Sequence, residues 1–117
     1  MLLRYEIVEL ALRHTFQIAH GSSDTRRNVI VAVGDGQGET APVAYHGESV
    51  EGVVAALERW RLAIEQLSDP GSIHALLCQL EGSAAARAAV DIALHDALGK
   101  RLGCSLADLL GLRDLPL

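Results

Sequence analysis

The apolar residues of this chain change their spacing once, and the change limits the folds that the chain can adopt. Up to about residue 41 they alternate with polar residues or run continuously, which is typical of strands. From about residue 49 they recur at three- and four-residue steps, which is typical of the buried side of a helix. Strands followed by helices predict an α+β domain, in which helices pack against one sheet. A chain of 117 residues is long enough for one such domain.

Two strands are predicted before the first clear turn. Residues 4–13 alternate apolar and polar side chains, as in a half-buried strand. Residues 28–33 form an almost unbroken apolar run with high strand propensity, as a central strand would. The polar, glycine-containing residues between these runs predict one long loop at 16–26.

A third strand is predicted directly after the second. Residues 34–36, Gly-Asp-Gly, supply the positive φ angles of a tight hairpin turn. The return strand at 37–41 stops at Pro42, because proline cannot donate a hydrogen bond to a strand ladder. The three strands together predict an antiparallel meander.

Three helices and a short fourth are predicted after the sheet. Their start signals are Ser49, Asp69-Pro70 and Ser83, and their stop signals include Gly103 and Gly111. The third helix, at about 84–102, is rich in small residues and carries two apolar faces. One face consists of Val90, Leu94, Leu98 and Leu102, and the other of Ala86, Ala89, Ala93 and Ala97.

Two apolar faces on one helix predict that it packs on both sides. A three-stranded sheet and two shorter helices are expected to cover only one of them. We therefore expect the other face, with the carboxy-terminal segment, to join two copies of the chain in a homodimer.

Composition and charge exclude several classes of function. The net charge is −5 and the ten basic residues are scattered, so nucleic acid is not an expected partner. No apolar run approaches the length of about 18 residues that a membrane span requires. The first residues continue directly into a strand pattern without a signal-peptide cleavage region. We therefore expect a cytoplasmic protein.

The two cysteines do not predict a metal or redox site. Cys78 and Cys104 lack CxxC spacing and have no further cysteines near them. We expect both to be buried, reduced thiols rather than a disulfide, since a free cysteine behaves as a small apolar residue.

Three motifs resemble one known family. The segment 86–112 resembles the end of the amino-terminal capping domain of the enolase superfamily, on its muconate-lactonizing and mandelate-racemase side. Residues 16–24 and 38–49 resemble the two specificity loops of the dipeptide epimerases. In the second loop, Gly-Glu-x-x-Pro precedes Tyr-x-Gly-Glu-Ser. The resemblance covers nearly the whole chain and implies the enolase amino-terminal fold, a three-stranded meander followed by three to four helices.

The resemblance also implies a division of labour. In that family the capping loops close over a (β/α) barrel, which supplies Mg²⁺ and two lysines for proton removal next to a carboxylate. This chain has a single lysine, Lys100, and no spread of Asp and Glu like the three metal carboxylates of the barrel. Residues 1–117 are therefore expected to be one capping domain without the barrel. No catalytic residue, metal ligand or cofactor is expected in it.

The family pattern also suggests which residues face the substrate. These residues are His20, Gly21, Ser22, Tyr45, His46 and Gly47. His20 departs from the pattern, because many glutamate-dipeptide epimerases have an arginine there, which would bind a carboxylate through two hydrogen bonds. A preference for an acidic second residue therefore does not follow from the resemblance. The alternatives are that both histidines are ordinary exposed loop residues and that the Tyr45 ring packs over the sheet edge.

Other polar residues are expected to be structural. Glu39 follows a strand end and is expected to be a hydrogen-bond partner rather than an acid catalyst. Asp91 and His95 have a spacing that can bind a metal, but a third ligand is lacking. Asp91 and Asp96 are instead expected to make polar contacts with neighbouring backbone or with arginines.

Three functions remain open at this stage. The first is the substrate-specificity cap of a Mg²⁺-dependent dipeptide epimerase, with a dipeptide as its small-molecule substrate. The second is a free-standing, non-catalytic module that binds a peptide or another protein. The third is the cap of another enolase-superfamily enzyme, such as a cycloisomerase or an acid-sugar dehydratase.

Overall fold

The computed structural model describes residues 1–18 and 21–112, with side chains described for 1–11, 25–69 and 71–112. The strands are β1 (Leu3–Ile18), β2 (Gly21–Val33) and β3 (Gly36–Thr40). The helices are α1 (Val50–Glu65), α2 (Ile73–Leu77), α3 (Ala84–Leu102) and α4 (Leu106–Leu109), with 3-10 turns at Ala44–His46 and Pro70–Ser72. The strands form one antiparallel sheet in the order β1-β2-β3, and β1 pairs with β2 on both sides of a register shift between Ala11 and Phe16. The predicted α+β fold, a meander followed by helices, is confirmed.

The first two strands are longer than predicted. Residues 16–18 pair with residues 21–23, so most of the loop expected at 16–26 is an extended hairpin. The prediction was wrong because it read polar and glycine residues as a loop. Antiparallel pairing satisfies backbone N–H and C=O groups whatever the side chains are, and it therefore continues through this polar sequence.

The helix boundaries follow the predicted capping residues. The hydroxyl of Ser49 accepts a hydrogen bond from the amide of Gly52 at 2.9 Å, and that of Ser83 accepts one from Ala86 at 3.0 Å. Gly103 ends α3 with a φ of 68°. Among the helices of residues 1–18 and 21–112, none is long and apolar enough to cross a membrane.

The core lies between the sheet and the helices. It contains alternate residues of β2 and the inner sides of α1 and α3, namely Val29, Val31, Val33, Val53, Leu57, Ile64, Ala89, Val90, Ala93 and Leu94. The alanine face of α3 packs directly on β3. A Cβ added to Gly36 would lie 2.6 Å from the backbone nitrogen of Ala97, and it would overlap the carbonyl oxygen of Ala93. Close backbone contact thus holds α3 on the sheet.

Both faces of α3 are largely covered, contrary to the expectation that one would be bare. Val90 and Leu94 are fully buried, and Leu98 is partly buried. The expectation failed because α1 and α2 both contact α3 while the alanine face lies on β3. Apolar surface remains at the carboxy-terminal end, where the exposed leucines are Leu102, Leu106, Leu110 and Leu112.

The two thiols are in different environments. Both cysteines are free in the structure, as predicted, but Cys78 is exposed and Cys104 only partly buried. The prediction that both are buried was wrong for Cys78, which follows the last residue of α2 on the side away from the core. Its sulfur lies 3.7 Å from Nε2 of His74, one helical turn earlier.

Candidate functional site

The two segments expected to face a substrate leave the sheet at the same end. β3 runs antiparallel to β2 and ends at Thr40, beside Val29. The β1–β2 hairpin continues past that point through residues 21–28, which corresponds to roughly 25 Å of extended strand. The chain after β3 and the tip of the hairpin therefore emerge on the same side of the domain.

The first segment is described only in its backbone. Gly21 pairs with Ile18 and Ser22 with Gln17, so both predicted site residues belong to β2 rather than to a loop. His20, the third predicted residue of this segment, lies outside the described residues.

The second segment is a compact turn rather than an open loop. The amide of His46 donates to the carbonyl of Val43 at 3.0 Å, and the amide of Gly47 donates to Ala44 at 2.9 Å. Gly47 has a φ of 73°, which favours glycine because a Cβ would be strained there. This single 3-10 turn presents the two residues before Gly47 at its tip.

Tyr45 and His46 form an exposed pair of rings. Their centroids are 5.2 Å apart, and the ring planes meet at 76°, an edge-to-face arrangement. Tyr45 is 67% exposed, so its ring does not pack over the sheet edge. The structure brings these two predicted residues together, and they offer an aromatic face, a phenol and an imidazole to a ligand.

Glu48 has a role that the sequence did not reveal. One of its carboxylate oxygens accepts a hydrogen bond from Oγ of Ser83 at 2.6 Å, and the other accepts one from the amide of Ala84 at 3.0 Å. Both donors belong to the start of α3, where the helix dipole favours a negative charge. Because the partners are 35 residues apart in sequence, local pattern could not have predicted the contact.

Glu39 is structural, as predicted. Its Oε1 accepts a hydrogen bond from Nδ2 of Asn28 at 2.9 Å. Asn28 itself is buried on β2. The pair joins neighbouring strands near the end of β3 and does not resemble a proton-transfer site.

The acidic residues of α3 make polar contacts with a backbone amide, as predicted, and with His95 and Lys100 instead of the arginines that were expected. Oδ1 of Asp91 lies 2.7 Å from Nδ1 of His95. Asp96 accepts hydrogen bonds from Lys100 and from the amide of Gln37, both at 2.9 Å, and these bonds hold the pKa of Asp96 below its ordinary value. The single lysine of the chain is thus engaged at the carboxy-terminal half of α3, whereas Glu48 marks the other end of that helix.

The described residues do not fit a magnesium site. In residues 1–18 and 21–112, no three His, Cys, Asp or Glu side chains converge as metal ligands would. Mg²⁺ prefers several oxygen ligands in octahedral geometry. The carboxylates near the candidate site, Glu39 and Glu48, are each engaged in hydrogen bonds to their own domain.

A charged cluster also joins α1 to the start of β1. Hydrogen bonds from Arg61 and from the hydroxyl of Tyr5 lower the pKa of Glu58 from 4.5 to about 2. Arg61 also donates to the carbonyl of Leu3 at 2.7 Å and to Glu65 at 2.9 Å. This cluster fastens the start of β1 to α1 and is structural.

The sequence matches the family described as "Mandelate racemase / muconate lactonizing enzyme, N-terminal domain" over residues 4–111. The match covers nearly the whole chain, and the chain belongs to this family. The resemblance to the enolase superfamily that the motifs indicated is confirmed.

Several of the relatives it matches are named as dipeptide epimerases. The L-Ala-D/L-Glu epimerase of Bacteroides thetaiotaomicron is 40% identical in an alignment of 112 residues that covers 89% of this chain and 29% of that protein. The dipeptide epimerase of Methylococcus capsulatus, complexed with Mg and L-Arg-D-Lys, is 30% identical with a TM-score of 0.79, over 93% of this chain and 34% of that one.

A third relative has the same fold with another dipeptide. The epimerase of Enterococcus faecalis V583, complexed with Mg and L-Leu-L-Tyr, is 27% identical with a TM-score of 0.79, over 93% of this chain and 33% of that one. The chain thus spans about a third of the length of the relatives it matches.

Proposed function

We propose that this chain is the substrate-capping domain of a Mg²⁺-dependent epimerase that acts on dipeptides by proton removal next to a carboxylate. The observation that carries the proposal is the exposed Tyr45–His46 ring pair, held on a turn at the end of the sheet where the β1–β2 hairpin also emerges. Membership of the family and the dipeptide epimerases among its relatives support it.

The contribution of this chain is recognition rather than proton transfer. The Tyr45 ring supplies apolar area and a hydroxyl, and the His46 imidazole supplies a hydrogen-bonding nitrogen. Gly21 and Ser22 would approach the same ligand from the hairpin. Together these groups would contact the part of a dipeptide away from the reacting carbon and exclude water from it.

The chemistry would be supplied by polypeptide outside these 117 residues. A carbon next to a carboxylate loses its proton only when the resulting charge is stabilised, and Mg²⁺ supplies that stabilisation when it is bound. The pair of lysines expected of the family cannot come from a chain with one lysine. The ammonium group of Lys100 moreover donates a hydrogen bond to the carbonyl of Asp35 at 2.7 Å and forms an ion pair with Asp96.

The proposal extends to dipeptides as a class and not to one side chain. The names and complexes of the relatives include L-Ala-D/L-Glu, L-Leu-L-Tyr and L-Arg-D-Lys, which carry acidic, aromatic and basic side chains.

Proton exchange tests the proposal directly. The reading frame after Leu117 would be sequenced, and the longer polypeptide and the 117-residue chain would each be incubated with a panel of L,L-dipeptides and Mg²⁺ in deuterated water. We expect deuterium at one α-carbon with the longer polypeptide, lost on chelation, and none with the 117-residue chain. Exchange by the 117-residue chain would contradict the capping role. Dipeptide binding by the longer polypeptide without exchange would favour a non-catalytic binding module.

We also propose that the 117-residue chain forms a homodimer through the carboxy-terminal leucines. Leu102, Leu106 and Leu110 are each close to or above half exposed, and they follow one another at four-residue intervals. Apolar surface in water costs about 25 cal/mol per Å², so pairing of these patches is favourable.

A further inference from the structure

One side chain ties the turn that carries Tyr45 and His46 to the helical layer. We propose that Glu48 is the positioning residue of this turn, and that its carboxylate sets where the ring pair stands relative to α3. The inference deepens the proposed function, on which it rests for the identity of the ligand that the rings contact. The positioning itself rests on hydrogen bonds within the chain.

The attachment is a pair of charge-assisted hydrogen bonds. Both oxygens of Glu48 are used, one by Oγ of Ser83 at 2.6 Å and the other by the amide of Ala84 at 3.0 Å. Bonds to an ionised acceptor are shorter and stronger than neutral ones. α3 has 19 residues, and the partial positive charge at its start adds to the attraction.

The bonds of Glu48 connect the turn to α3, which itself packs on β3. The chain leaves β3 at Thr40, makes the turn, and returns through Glu48 to α3, which packs backbone to backbone on β3. The next residue, Ser49, is fixed as the N-cap of α1. The turn is thereby fastened to β3, α1 and α3. The main chain makes the first two connections, and the side chain of Glu48 makes the third.

The exposed rings depend on this attachment for their position. Tyr45 and His46 both belong to this turn, and their rings contact each other. A shift in the backbone of the turn would therefore move both rings. Glu48 can govern what the rings contact without touching a ligand itself.

Hydrogen exchange of the 117-residue chain tests the inference. The amides of residues 47 and 48 donate to the carbonyls of Ala44 and Val43, so they report the closed turn. In Glu48→Ala we expect these two amides to exchange about tenfold faster. The matched control is Ser105→Ala, which removes the cap of α4 and leaves the turn intact. The amide of Val31, in the core, should change much less than these two amides in Glu48→Ala, and residues 47 and 48 should change little in Ser105→Ala.

A uniform change at residues 31, 47 and 48 of Glu48→Ala would overturn the inference, because a merely structural role would act on the whole fold. If Glu48→Ala fails to fold, Glu48→Gln replaces it, since the amide oxygen still accepts one of the two bonds. Acceleration confined to residues 47 and 48 would again support positioning. No substrate is present in these measurements. The proposed function is tested separately, by α-carbon exchange with the longer polypeptide. Absence of that exchange would contradict the proposed function without changing the result of the amide measurement.

Discussion

Gly38 of β3 faces the carbonyl oxygen of Ala89 on α3 with no room for a side chain between them. A Cβ on Gly38 would overlap that oxygen, and it would lie 2.9 Å from the backbone nitrogen of Ala93. Glycines on the strand and alanines on the helix are thus complementary surfaces. This contact holds α3, and with it the partner of Glu48, at a fixed distance from the sheet.

Gly38→Ala is expected to lower the free energy of unfolding by about 2–4 kcal/mol, because the helix must move away from β3 to admit one methyl group. Urea unfolding followed by circular dichroism measures the effect. The control is Gln37→Ala, on the adjacent and exposed position of the same strand, which should change stability by less than about 0.5 kcal/mol. A loss for Gly38→Ala as small as that of the control would show that the helix adjusts freely.

Stability is expected to depend on the ionisation of Glu58. Because its pKa is lowered from 4.5 to about 2 in the folded chain, its contribution is complete above pH 4.5 and is lost as the pH falls towards 2. Glu58→Gln should therefore be less stable than the unmodified chain at pH 7, with the difference disappearing near pH 2. The control, Glu6→Gln, removes the same charge from an exposed position of β1 that pairs with Ile30. Parallel stability curves for both variants across this range would contradict the prediction.

The leucine patch predicts a specific test of self-association. Sedimentation of the unmodified chain at roughly 100 µM should show a dimer, and Leu106→Asp should show a folded monomer. Leu94 is unsuitable for this purpose because it is fully buried, and an aspartate there would unfold the domain. A monomer for the unmodified chain at this concentration would refute the homodimer.

The ring pair predicts a change in substrate binding with little change in chemistry. In the longer polypeptide, Tyr45→Ala is expected to raise KM for dipeptides about tenfold, because a contact made equally in the ground and transition states is lost. The exposed position of the ring means that stability should not change. Arg87→Ala, at an exposed position of α3, is the control. A fall in kcat with unchanged KM would assign Tyr45 a part in the chemistry itself.

The sequence by itself determined the order of elements and most helix boundaries. Ser49, Ser83 and Gly103 act on atoms within four residues of themselves, so their effect can be recognised locally. The motifs of the two loops were sufficient to indicate the family. The sequence placed Tyr45, His46 and Gly47 in a candidate site, which stays a prediction, and it gave no information on the geometry of the two rings.

Tertiary structure alone decided how these elements meet. The length of the β1–β2 hairpin depends on pairing between strands, which continues past a register shift between Ala11 and Phe16. Both faces of α3 are covered because α1 and α2 pack against it while the glycines of β3 contact its alanine face. The bond from Glu48 to Ser83 spans 35 residues. Such contacts depend on distances between segments that are remote in sequence. A local side-chain pattern reports only on neighbours within a few residues, so it cannot predict those distances.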